Sequence, residues 1–204
     1  MTLNDNAYAS FMLDYAAGAL SPAETIAADL HRVLSVDGRR NALMLDALGG
    51  AMLEAAASGG GMSEPDIEAS RNVRWSARAS QPSRIEPFLQ PDRLLGLHWR
   101  KDLFGMKTLP AGLPLSNLLR LDPGERAPAH CHGRRDVTVV LTGSFADQFG
   151  VYERGDLAFA EPGIKHEPRA VGSAPCVCFL ATEPGRPLRG FLGLLQSFIP
   201  GRAI

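Results

Sequence analysis

With 204 residues, 45% of them hydrophobic, and a formal net charge of −1, the chain holds enough apolar material for one large folded unit or two small ones. A sequence pI of about 6.5 without a basic patch argues against direct nucleic-acid contact. No apolar stretch reaches the ~18 residues of a membrane span, Met1–Asn6 lacks the basic-then-apolar order of a secretory signal, and an odd three cysteines fit a reducing cytoplasm better than a disulfide framework.

Residues 1–57 read as helical, rich in Ala, Leu and Met. A first helix is expected over Ala7–Ala17, carrying Phe11, Met12 and Tyr15. Ser21-Pro22-Ala23-Glu24 is a capping box with proline at the first helical position. Ile26, Leu30 and Val33 then share one face of a second helix, and Asp37-Gly38 reads as its stop. A third helix is expected over Arg40–Ala57, with Leu45, Leu48 and Met52 as an apolar stripe available to a protein partner. So few helical residues bury little surface by themselves, and such a unit needs a metal, a partner or a neighbouring domain.

Residues 58–84 are rich in Ser, Gly and Pro and read as a linker. Trp75 and the arginines Arg71, Arg74 and Arg78 within it suit a flexible tether better than a docking segment. From residue 85 to 204, Pro, Gly and β-branched residues recur at short intervals, the pattern of a β-domain. Trp99 is expected to cover its edge, and His98 stands outside the ligand spacing described next.

Three of the five histidines fall in one pattern: His130-Cys131-His132, Asp136 four residues later, and His166 beyond Glu161-Pro162-Gly163. Val137–Leu141 and Asp156–Ala160 read as strands between them. Alternation along a strand puts His130 and His132 on one face and Cys131 on the other, where it is inert. Asp136 has the parity of the histidines. Three imidazoles and a carboxylate converging inside a small barrel make a divalent-metal site of mixed N/O character, suited to Zn, Fe, Mn or Ni. The neighbouring Arg134-Arg135 pair reads as a solvated hairpin rim, or as a counter-charge to Asp136 or an anion. Cys176 and Cys178 share one strand face. Near a cation they would be redox-active thiols; otherwise they are small buried apolar residues.

The run Pro128-Ala129-His130-x-His132-x3-Asp136, then Gly150-x-Tyr152-x-x-Gly155-Asp156, then His166-x-Pro168, resembles the cupin fold, a double-stranded β-helix or jelly roll. With Cys176-x-Cys178 added, it resembles the ChrR family of anti-sigma factors. Tyr15–Ser21 and Asp46–Gly50 resemble that family's N-terminal helical domain. The resemblance implies an α+β chain, with three or four helices followed by a cupin barrel. It also implies one zinc in the barrel, an extracytoplasmic-function (ECF) sigma factor as partner, and a response to oxidative stress such as singlet oxygen. Asp136 stands where the family has Glu. Its shorter reach leaves direct ligation, ligation through water, or contact with another ligand open.

The family's N-terminal zinc motif is mostly absent. His31 occupies its histidine position, but Asn6, Ser35 and Gly38 replace the remaining ligands. No zinc is expected there, and His31 becomes an ordinary polar helix residue. The alternative function is a metal-dependent cupin enzyme of dioxygenase or isomerase type, with the helices as a lid or dimerisation element. A homodimer through the cupin sheets is compatible with either reading.

Overall fold

The computed structural model describes residues 3–58, 82–101 and 105–184. Arg71, Arg74, Trp75 and Arg78 lie outside the described residues. The chain is α+β, with N-terminal helices followed by a cupin-like β-sandwich. Its helices are α1 (Leu3–Ala17), α2 (Pro22–Leu34) and α3 (Val36–Ser58), then the short α4 (Pro82–Ile85), a 3-10 turn (Glu86–Phe88) and α5 (Pro91–Leu95).

The capping box opens α2 as expected: Ser21 Oγ accepts from Glu24 N–H at 3.4 Å, and Ser21 N–H donates to Glu24 Oε2 at 3.1 Å. The helix does not stop at Asp37-Gly38. Its C-cap is Ser35, whose N–H donates to His31 O, and Ser35 Oγ accepts from Gly38 N–H at 3.2 Å to open α3. One residue therefore ends α2 and caps α3, placing Asp37 and Gly38 inside the first turn of α3. Val33 is 40% exposed, so the buried stripe of α2 runs through Ile26 and Leu30 to the partly buried Leu34 instead.

Six strands form the main sheet, in the order β1 (Arg100–Lys101), β2 (Lys107–Pro110), β3 (Ser116–Leu121), β11 (Cys176–Thr182), β5 (Asp136–Thr142), β8 (Leu157–Ala160). A second sheet orders β10 (Arg169–Val171), β6 (Ser144–Asp147) and β7 (Gly150–Glu153), and a third pairs β4 (His130–Cys131) with β9 (Lys165–His166). All these pairings are antiparallel.

β5 and β11 are apolar on both faces because both faces are buried. One face, with Val137, Val139, Leu141, Val177 and Phe179, joins Phe11, Met12, Ile26 and Leu30 of the helices in a single cluster. The other, with Val140, Cys176 and Cys178, packs with Phe145, Tyr152 and Ala170 of the second sheet inside the barrel. The helical unit thus obtains from the sheet the burial that it could not supply alone.

Polar contacts fix this union. Glu24, already part of the cap, accepts from Arg135 at 3.2 Å across 111 residues of sequence. Arg135 is therefore not on a solvated rim. His31 is not an ordinary polar helix residue either: it is 4% exposed, and its Nδ1 donates to the carbonyl of Gly155, in the β7–β8 turn, at 2.6 Å. That leaves Nε2 to accept from Tyr8 Oη–H at 3.0 Å, and Tyr8 Oη in turn accepts from Asn41 Nδ2 at 2.8 Å.

Glycine is needed at two positions beside this chain of bonds. A Cβ on Gly38 would lie 2.6 Å from the His31 ring. Gly155 has φ +94°, and its Cβ would lie 2.8 Å from the Leu34 carbonyl carbon. Trp99 packs against the helix-facing cluster and donates to Leu94 O at 3.2 Å.

Candidate metal centre

Register brings the histidines together. β4 pairs with β9 so that His130 stands directly opposite His166. His132 forms an isolated bridge with Pro162, and its carbonyl accepts from Gly163 N–H at 2.9 Å. The Glu161–Ile164 turn, closed by Ile164 N–H to Glu161 O at 3.1 Å, returns the chain to the site. The three imidazoles are half-buried.

All three Nε2 atoms point inward. His132 Nε2 is 2.9 Å from His166 Nε2, which is 3.2 Å from His130 Nε2. The Nδ1 atoms face protein oxygens. His130 Nδ1 donates to Pro128 O at 2.6 Å, and His132 Nδ1 donates to Asp136 Oδ2 at 2.7 Å. His166 Nδ1 lies 3.6 Å from Asp147 Oδ2. A carbonyl and a carboxylate only accept, so His130 and His132 carry their protons on Nδ1 and present bare lone pairs at Nε2.

Two such lone pairs and a third ring nitrogen repel at this separation. A proton on His166 Nε2 would serve only one neighbour, whereas a cation serves all three. Ligands at about 2.0–2.1 Å in a tetrahedral shell stand about 3.3 Å apart, close to the spacing seen. The donor set therefore fits a divalent metal, and the histidines are positioned to hold one. Burial holds His130 below the ordinary histidine range, and the nearby rings of His132 and His166 add to the effect. The Pro128 carbonyl and Asp136 oppose it. The neutral, ligating form is favoured.

Asp136 stands differently from the histidines. It is buried on the barrel-facing side of β5 and bonds the outer edge of His132. Among the described residues, the donor atoms that gather within 4.8 Å of one another belong to His130, His132 and His166 alone. Sequence spacing missed two supporting groups, the Pro128 carbonyl and Asp147. Asp147 has the parity of the inward Phe145 on β6, a signal readable only once that strand is recognised.

Cys176 and Cys178 lie in the barrel interior, 1% and 3% exposed, with Sγ atoms 3.6 Å apart. The hydrogen bond of the Cys178 thiol to Cys176 raises its pKa well above the ordinary range, and burial raises it further. Of the predicted partner stripe, Leu45 packs inward against the core, whereas Leu48 and Met52 are 54% and 66% exposed. Met44, at 62%, aligns with them at four-residue spacing.

Residues 107–186 match the family model described as the ChrR cupin-like domain. Along 98% of its length the chain is 30% identical to the anti-sigma-E factor ChrR of Cereibacter sphaeroides, covering 96% of that protein. The chain belongs to the ChrR family of anti-sigma factors. Its structure is also similar to the anti-sigma ChrR solved in complex with SigE from Rhodobacter sphaeroides, with TM-score 0.62 and 28% identity. That match covers 85% of this chain and 96% of the other. Among the described residues, no helix is long and apolar enough to cross a membrane.

Proposed function

We propose that the chain is an anti-sigma factor that binds an ECF sigma factor in the cytoplasm and responds to oxidative stress through a zinc ion in its cupin domain. The likeness to ChrR over nearly the whole chain carries this reading. Zinc suits the three imidazole nitrogens, which lie at tetrahedral spacing with outer partners that hold the rings in place. His130, His132 and His166 would hold the ion, with Asp136 behind His132. The metal would supply a Lewis-acidic centre, and the Pro128 carbonyl and Asp136 orient the rings of His130 and His132.

The sigma contact falls on α3. Met44, Leu48 and Met52 form an exposed apolar row on a helix that packs against α1 and α2, with Ala42 and Leu45 turned toward the helix-facing cluster. Such a row is suited to a groove or helix pair on a partner. Cys176 and Cys178 remain redox candidates that would react only after the barrel opens, since the closed fold keeps them buried and Cys178 protonated.

The test is inhibition of transcription in vitro by an ECF sigma factor from the same genome. Wild type is expected to form a stable complex and inhibit, and an oxidant to relieve the inhibition. Leu48→Asp/Met52→Asp is expected to abolish both complex and inhibition while keeping the native circular-dichroism spectrum. Full inhibition by that variant would remove α3 from the contact. No complex with any ECF sigma factor of the genome would remove the function.

A further inference from the structure

We infer that the Glu24–Arg135 ion pair couples the metal loop to the partner-binding helices, so that filling the histidine site and binding the sigma factor strengthen one another. The inference rests on the function proposed above and names how the state of its site reaches the partner.

Position carries the argument. Arg135 lies in the connection between β4 and β5, three residues after His132 and next to Asp136. Its backbone is fixed to the barrel, where its carbonyl accepts from Glu183 N–H at 2.9 Å just beyond β11. Its side chain crosses to α2 and donates through Nη2 to Glu24 Oε1 at 3.2 Å. Glu24 Oε2 accepts from Ser21 N–H at 3.1 Å. One carboxylate thus closes the cap of α2 with one oxygen and holds the metal loop with the other. α2 then runs into α3 at Ser35, which ends the first helix and caps the second, and α3 carries the exposed Met44, Leu48 and Met52 row.

The pair is placed to respond to the site. The side chains of Glu24 and Arg135 are 4% and 17% exposed, so separating them strands charge away from water, unlike the parting of a surface pair. Arg135 Nε is buried and, among the described residues, has no hydrogen-bond partner, so the guanidinium does not grip the carboxylate with two parallel bonds. The adjacent Asp136 Oδ1 is likewise buried without such a partner, while Oδ2 takes the Nδ1 proton of His132 at 2.7 Å. An orphaned carboxylate oxygen beside the imidazole cluster is one that a bound cation would draw on. Any shift of His132 or Asp136 moves the short loop that carries Arg135. The other polar tie of α2, from His31 to Gly155 at 2.6 Å, ends at the β7–β8 turn, which holds no metal-site residue.

The experiment measures the dissociation constant of the full chain for an ECF sigma factor of the same genome, with one equivalent of zinc and after removal of zinc by a chelator. Wild type is expected to bind the sigma factor about 5–150-fold more tightly with zinc, and by linkage the sigma factor tightens zinc binding by the same factor. Glu24→Gln/Arg135→Gln removes both charges, strands neither, and keeps a residue suited to the capping box at position 24. It is expected to bind zinc and the sigma factor with the zinc-dependent ratio near unity. His31→Ala is the control: it loosens the seating of the helices and is expected to retain the wild-type ratio. A double variant with the wild-type ratio would overturn the inference, as would a folded His31→Ala protein that loses it. So would a wild type whose affinity ignores zinc, a measurement that needs no variant. A wild type that binds no zinc would instead refute the metal reading, and one that binds no sigma factor would refute the proposed function.

Discussion

Replacing His31 with Ala tests how the helices are held to the barrel. The substitution removes an Nδ1–H···O bond of 2.6 Å to Gly155 and the acceptor of the Tyr8 hydroxyl at 3.0 Å. A buried acceptor left unpaired costs about 1–3 kcal/mol. The space left by a ring that is 4% exposed adds roughly 2 kcal/mol. Together the expected loss is about 3–5 kcal/mol, a large part of the roughly 5–15 kcal/mol typical of a domain.

Urea denaturation followed by far-ultraviolet circular dichroism measures the loss. The helices and the barrel share one apolar cluster, so they should unfold together in the wild type. The effect also depends on pH. Burial lowers the pKa of folded His31 below the unfolded value of about 6.5. Its contribution is therefore complete above about pH 6.5 and is lost as pH falls through the folded value. The difference between wild type and His31→Ala should shrink from pH 7.5 to pH 5. A difference below about 1 kcal/mol at pH 7.5, or one that grows in acid, would refute the assignment.

Gly155→Ala should destabilise by at least about 1–3 kcal/mol, because its Cβ meets the end of α2 from a positive φ; unchanged stability in the same urea assay would contradict the close approach. Gly38→Ala should act in the same direction, because its Cβ would meet both the His31 ring and the His31 carbonyl oxygen at 2.6 Å; combined with His31→Ala it should cost less than the sum of the two, with the backbone part of the clash remaining. Iodoacetamide should label only the half-exposed Cys131 in the native protein and all three cysteines in urea. Comparable native labelling of Cys176 or Cys178 would show that the barrel interior opens readily.

Residues whose neighbours in sequence determine their state were legible. The capping box fixed the start of α2, and the apolar run Val137–Leu141 gave a strand buried on both sides. The paired register of β4 and β9 brings together the three histidines that the motif singled out.

What remained hidden depends on distant partners. Asp37-Gly38 reads as a stop, yet Gly38 stays helical because Ser35 caps α3 and His31 needs the space that a side chain would take. Arg135 lies in a polar Gly-Arg-Arg run, and only the folded chain brings it to Glu24. Asp136 shares the parity of the histidines, but parity does not say which edge of His132 its carboxylate meets.

Elemental analysis of wild type and of the His130→Ala/His132→Ala variant tests the central claim most directly. The account predicts about one divalent ion per wild-type chain, zinc in the proposed reading, and none in the variant. A wild type purified without metal and unable to take up zinc, or a variant that retains it, would contradict the site.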